Sequence, residues 1–192
     1  NLVNSVLVIK LLSTEQYGAY SLIIKVTNIA TIVFSFGLGS AIQQNPNFLT
    51  NYSNIFLKVI FGIIFLQSVG IYLYSIAFLH HTELAILSVF LGITNLLLLI
   101  ISNYEIALQM SSRVFYTKNF MPAFLSLILF ICFFTNSTLF TNIFSIVSLI
   151  VTLNLILIFL KLPNLELDIS KEKEVQKEDI KKFLFFGLST VP

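Results

Sequence analysis

Lys10-Leu-Leu-Ser-Thr-Glu-Gln-Tyr-Gly18, an apolar run of about 20 residues and then Phe36-Gly-Leu-Gly-Ser40 form the stretch whose reading decides the fold. One apolar helix ends near Leu12, the polar turn Ser13–Gln16 follows, and a second apolar helix begins at Tyr17 and runs to about Leu38. Lys25 and Asn28 interrupt that second helix three residues apart, a spacing that puts them on one face. Lysine within a membrane span is costly and functional by default.

The composition around this stretch is that of a membrane protein. Of the 192 residues, 57% are apolar and 10% charged, and the mean hydropathy is +0.93. A soluble domain carries about 25% charged residues. The class expected is therefore all-α, a polytopic membrane helix bundle. Phe is abundant (20) and Trp absent, so any aromatic belt is made by Tyr and Phe. The single cysteine, Cys132, lies in an apolar run and has no intrachain partner for a disulfide.

Apolar length and polar breaks divide the chain. Residues 1–12 read as the tail of helix 1, too short to span and without a cleavage site. Helix 3 is expected over about Ile55–Leu79, helix 4 over Leu84–Leu108, helix 5 over Tyr116–Thr135 with Pro122 near its start, and helix 6 over Leu139–Leu160. Helix 7 starts at Phe183. The chain starts inside one helix and stops inside another, so it reads as a fragment. Residues 1–160 form a transmembrane half, 161–182 a charged connector and 183–192 the start of a second half.

The connections alternate in charge. Segments 13–16, 80–83 and 136–138 hold no Lys or Arg. The stretches 39–58, 109–119 and 161–182 hold Lys58, Arg113, Lys118, Lys161, Lys171, Lys173, Lys177, Lys181 and Lys182, nine of the eleven basic residues. The positive-inside rule then places 39–54, 109–119 and 161–182 in the cytoplasm and the first set outside. Short outer turns make helices 1–2, 3–4 and 5–6 antiparallel neighbours.

Polar residues recur along three helices. Ser21, Lys25, Asn28, Thr31 or Ile32, and Ser35 follow one face of helix 2. Ser88, Asn95, Ser102 and Gln109 recur every seven residues in helix 4, with Glu105 on the same side. Thr141, Ser145, Ser148 and Thr152 line helix 6, where hydroxyls serve as packing contacts between helices. Lys25 lies about 12 Å below Tyr17 at about 1.5 Å rise per residue, at the limit of snorkelling. Lys25, Asn28, Ser21 and Asn95 are the candidate lining of a hydrated cavity, where a cation attracts a phosphate or an acidic sugar. An acid supplied elsewhere in the protein would also explain Lys25. Glu105 is either an ion-coupling group or an interfacial anchor near Arg113. Lys10 is close enough to the end of helix 1 to snorkel. His80 and His81 read as a solvated turn.

The sequence holds no nucleophile with its base, no metal-ligand spacing and no glycine-rich phosphate loop. Outer turns of four residues or fewer are too small for an extracytoplasmic active site. No enzyme, cofactor, metal or nucleic-acid partner is expected.

The stretch Lys10–Gly18 resembles the opening motif of bacterial polysaccharide flippases, the Wzx-type O-antigen and exopolysaccharide exporters. These typically show a basic residue, then Leu, Gly or Ser, Pro, Glu, any residue, Tyr and Gly. Ala19-Tyr-Ser-Leu22 and Phe36-Gly-Leu-Gly-Ser40 look like the family's second helix and its exit, and Phe183-Leu-Phe-Phe-Gly-Leu188 like the start of its second half. Thr14 stands where Pro is usual, Ser189 where Pro often follows, and Gln43 and Gln44 where basic residues are common. The resemblance implies twelve to fourteen helices in two halves, each half part of one transporter of the multidrug, oligosaccharidyl-lipid and polysaccharide exporter superfamily. It implies a cationic cavity that passes an undecaprenyl-pyrophosphate-linked oligosaccharide across the bacterial inner membrane by alternating access, in cooperation with a polysaccharide polymerase. The alternatives are a multidrug or cation antiporter of the same superfamily, which needs embedded carboxylates, and a non-transporting scaffold in envelope assembly.

Overall fold

Residues 2–35, 37–44, 46, 53–135 and 142–161 are described by a computed structural model. Every regular element among them is a helix: α1 (Leu2–Leu11), α2 (Thr14–Phe34), α3 (Leu38–Gln44), α4 (Ser53–Leu79), α5 (Thr82–Ala107), α6 (Ser111–Phe134) and α7 (Ile143–Lys161). Four are long and apolar enough to cross a membrane: α2, α4 over Phe56–Leu79, α5 and α7. The all-helical expectation therefore holds in its coarse form. The connector after Lys161, the start at Phe183 and the segment 136–141 lie outside the described residues.

The turn after α1 is shorter than the expected Ser13–Gln16. Ser13 is an N-cap whose Oγ accepts from the Gln16 amide at 3.3 Å, while the Gln16 side chain accepts from the Ser13 amide at 3.4 Å. This reciprocal capping box satisfies two donors and lets α2 start at Thr14. Glu15 in the first turn complements the positive helix end. The earlier start places Lys25 at the middle of α2, about 16 Å from its first residue at about 1.5 Å per residue. The distance from Tyr17, eight residues away, remains about 12 Å at the same rise.

At the other end α2 stops at Phe34 rather than Leu38. Gly37 takes a φ of +69°, a left-handed conformation that glycine adopts without a Cβ clash. The chain turns there into α3, inside a segment read as a polar connection. Leu38, Ala41 and Ile42 of α3 are buried against Leu96, Ile100 and Tyr104 of α5 and Phe56 and Ile60 of α4. An apolar triad in a short helix is enough to fold the connection back onto the bundle.

α5 is the axis, packing against α2, α3, α4, α6 and α7. Its partners change along its length. Leu91 joins a core with Leu7, Val8, Ile23, Leu129 and Ile146, drawn from α1, α2, α6 and α7. Leu96, Ile100 and Tyr104 belong to the core shared with α3 and α4. Lipid is as apolar as these side chains, so close packing and polar contacts, not water exclusion, hold such helices together. Gly92 shows the closeness, since a Cβ there would sit 2.3 Å from Ile71 Cδ1 and 3.1 Å from Gln67 Nε2.

The turn between α4 and α5 is His80-His81, because α5 starts at Thr82, and His80 turns the chain with a φ of +54°. Gln109, expected at the end of the helix 4 stripe, lies beyond α5 with a φ of +58° and is exposed. α6 starts at Ser111, not Tyr116, so Pro122 is interior rather than initial. Its carbonyl accepts from Asn4 Nδ2 at 3.2 Å and from Ser126 Oγ at 2.7 Å, and Ser126 Oγ also bonds Asn4 Oδ1. Asn4 thereby fastens α1 to α6 beside the proline. Only Pro122–Phe134 of α6 is strongly apolar, short of the roughly 20 residues a span requires.

Candidate functional site

The two ends of the bundle are chemically distinct. Glu15, Gln16, His80, His81, Glu83 and Asn142 line an open cleft of about 1080 Å³ at one end. At the other end the Gln43 amide donates to Asn103 Oδ1, and Lys161 Nζ lies 2.6 Å from both Glu105 oxygens. Between these ends the polar side chains meet the helix surfaces in two ways.

The expected α2 stripe divides. Lys25, Asn28 and Ile32 are exposed and Ser21 is half-buried, whereas Thr31 and Ser35 turn inward with Thr27. The geometry is simple: at 3.6 residues per turn Thr31 lies well round the helix from Lys25, while Ile32 lies almost beneath it. The inward hydroxyls donate to carbonyls of their own helix, Thr27 Oγ1 to Ile23 at 2.8 Å and Thr31 Oγ1 to Thr27 at 2.8 Å. Lys25 has no acid within ion-pair distance among the described residues.

The outward and inward groups are joined by carboxamides. Asn95 of α5 donates to Asn28 Oδ1 at 3.4 Å, and Asn154 of α7 donates to Asn95 Oδ1 at 3.1 Å and to Thr94 Oγ1 at 3.0 Å. Two of the expected cavity residues, Asn28 and Asn95, are thus joined at the α2–α5 junction, and Lys25 is exposed three residues before Asn28. Ser21 lies a turn of helix above Lys25. Asn154 was not singled out in the sequence, although it is the sole carboxamide within α7. Its burial (3%) inside an apolar helix is the signal, because an amide there must find a partner.

The side chain of Arg113, the expected neighbour of Glu105, lies outside the described residues, and the partner described for Glu105 is Lys161. Glu105 is 4% exposed, so the two opposite charges share their desolvation cost. Of the helix 6 stripe, Ser145 and Ser148 are half-buried. Thr152 is exposed and donates to Ser148 of its own helix at 2.8 Å, while Thr141 lies outside the described residues. Asn154 and, at the helix end, Lys161 are the α7 side chains that hydrogen-bond a neighbouring helix among the described contacts.

Gln67 is a second residue the sequence reading passed over. It is 1% exposed, and its Nε2 donates to Thr31 Oγ1 at 3.2 Å and to the Gly92 carbonyl at 3.0 Å, stitching α4 to α2 and α5. Gln67 Oε1 and Ser68 Oγ are buried without a hydrogen-bond partner among the described residues. No group of three or more metal-ligating side chains forms among the described residues.

This arrangement can present a cation and amide donors on an open helix face midway along a span-length helix, backed by a rigid polar contact between α5 and α7. No family model, curated protein or solved structure matches the chain.

Proposed function

We propose that the chain is one half of a membrane transporter that moves an anionic, lipid-linked oligosaccharide between leaflets, by alternating access across the bacterial inner membrane. The observation that carries this reading is Lys25, exposed at the middle of α2 and three residues before Asn28, which accepts from Asn95. A lysine at the centre of a span costs about 2.5–3.5 kcal/mol even on insertion scales. An open face bearing one is therefore tolerable where water or an anionic ligand faces it. The pyrophosphate of a polyprenyl-linked sugar supplies that charge, and the amides suit sugar hydroxyls.

The resemblance of Lys10–Gly18 to polysaccharide flippases supports the same reading. Under it, residues 1–160 are the N-terminal half, 161–182 a cytoplasmic connector and 183–192 the start of the second half. The basic residues then put the Lys161 end in the cytoplasm and the His80 end outside, and a polysaccharide polymerase is the partner that consumes the exported unit. An ion-coupled antiporter is supported less well, because Glu105, the carboxylate it would use, is engaged with Lys161.

The test is leaflet exchange of a labelled polyprenyl-pyrophosphate oligosaccharide in vesicles holding the full-length protein. Exchange well above empty vesicles, lost in Lys25→Ala, is the expected result. A folded, energised protein that gives no exchange overturns the proposal and favours a scaffold or an antiporter.

A further inference from the structure

The carboxamide chain between α7 and the open face of α2 has a direction, and Thr94 sets it. Thr94 Oγ1 has one proton, which it donates to the Leu91 carbonyl at 3.0 Å. Towards Asn154 it can therefore only accept, so the Asn154 side chain must turn its NH2 towards Thr94. The same nitrogen lies 3.1 Å from Asn95, which must then offer its oxygen. Asn95 is left with its NH2 facing Asn28, and Asn28 accepts through Oδ1. The outermost group of the chain is then the Asn28 NH2, one turn from the Lys25 ammonium, both on the exposed face. The groups left over on that face, the Asn28 NH2 and the Lys25 ammonium, are both donors.

We propose that Thr94 and Asn154 are positioning residues that hold Asn95 and Asn28 with donors outward, so that the Lys25 face selects an anionic group rather than a cation or a neutral acceptor-poor ligand. The inference rests on the transport reading, since it assigns a role to residues behind the same face. Neither Thr94 nor Asn154 touches the ligand. They act by denying Asn95 and Asn28 the flipped orientation, which would put a carbonyl oxygen beside the bound anion and repel it.

Equilibrium binding of inorganic pyrophosphate to the purified full-length protein tests this, with melting temperature as the check on folding. Lys25→Gln is expected to weaken pyrophosphate binding at least tenfold. Thr94→Val, which keeps the shape but removes the hydroxyl, is expected to weaken it about fivefold, the scale of one misdirected hydrogen bond. Thr94→Ser restores the hydroxyl and the affinity. Asn154→Leu matches Thr94→Val. Ser88→Ala removes another buried α5 hydroxyl, one bonded only to the Leu84 carbonyl, and is expected to leave affinity unchanged. Weakening by Lys25→Gln with wild-type affinity in Thr94→Val and Asn154→Leu overturns the positioning role and leaves the transport reading standing. Equal weakening in Ser88→Ala and Thr94→Val, or failure of Thr94→Ser to rescue, also overturns it, because packing alone would account for the loss. No pyrophosphate binding, or binding indifferent to Lys25→Gln, overturns both.

Discussion

Lys25 of α2 and Lys161 of α7 are both lysines on helices long and apolar enough to cross a membrane, and they are held in opposite ways. Lys161 lies at the last residue of its helix, 12% exposed, with Glu105 at 2.6 Å. Lys25 lies at the centre of its helix, exposed, with Asn28 three residues on. A charge near a helix end can reach water and needs no partner, yet that one is paired. The charge at mid-depth needs a partner most and has none among the described residues. The difference separates a lysine paired across two helices from one that is exposed. It divides the polar residues generally: Glu105, Lys161, Thr94 and Asn154 bond along the seam between α5 and α7, while Lys25 and Asn28 of α2 are exposed.

The division fails if the seam can be cut without cost. Lys161→Met removes the cation 2.6 Å from the buried Glu105 carboxylate and is expected to destabilise the protein by about 3 kcal/mol, the typical loss when one member of a buried pair is removed. The double variant Glu105→Gln with Lys161→Met is expected to recover most of that. Reversible unfolding in detergent or bicelles measures both. A single variant as stable as wild type would mean that Lys161 reaches water as an ordinary end-of-helix lysine.

Gly92→Ala tests the seam through packing rather than charge. The added Cβ would meet Ile71 Cδ1 at 2.3 Å, and Ile71 is 1% exposed with little room to retreat. Gln67 Nε2, at 3.1 Å, would also lose its approach to the Gly92 carbonyl. Overpacking of this kind costs about 1–3 kcal/mol, and the same unfolding measurement reads it. Gly62, whose Cβ would meet nothing within 4 Å, is the matched control on α4. An alanine there is expected to be neutral or slightly stabilising, through reduced freedom of the unfolded chain.

On the α2 face the expected effects move from stability to transport. Lys25→Ala is expected to change unfolding stability by less than about 0.5 kcal/mol, the range of substitutions without buried contacts. Leaflet exchange is expected to fall tenfold or more, which corresponds to about 1.4 kcal/mol. A large stability loss instead would show that Lys25 is paired in the full-length protein and belongs with Lys161.

Much of this comparison was legible in the residues, and the exceptions share a cause. Apolar run lengths placed α4 and α5 within a few residues, because nothing competes with a long apolar helix bounded by polar turns. Periodicity identified Lys25, Asn28 and Asn95 as neighbours in kind, but it cannot give the phase of a helix against its partners. Thr31 was therefore grouped with Lys25 although it faces Gln67. Single residues were missed for the same reason. Asn154, Gln67 and Asn4 make contacts between helices, but none belongs to a polar stripe along its helix. The helix ends were misread where side-chain chemistry overrides hydropathy, as in the Ser13–Gln16 box that draws polar residues into α2, and in the apolar α3 hidden in a polar connection. Glu105 and Lys161 are separated by 56 positions, and only the packing of α7 on α5 brings them together.

The smallest expected effect sharpens the division most, because it concerns a stripe that looks like the others. Thr152 recurs with Ser145 and Ser148 at helical spacing in α7, as regular a pattern as Lys25 with Asn28. It is exposed, and its hydroxyl is spent on the Ser148 carbonyl of its own helix. A hydroxyl that returns to its own backbone neither joins two helices nor offers a donor outward. Thr152→Val is therefore expected to leave both unfolding stability, within about 0.5 kcal/mol, and leaflet exchange unchanged. Thr94 likewise returns its proton to its own helix, but it is buried and its oxygen also accepts from Asn154 on the neighbouring helix. If Thr152→Val and Thr94→Val behave alike, then contact between helices is not what gives a polar residue its role here, and the distinction drawn from Lys25 and Lys161 falls with it.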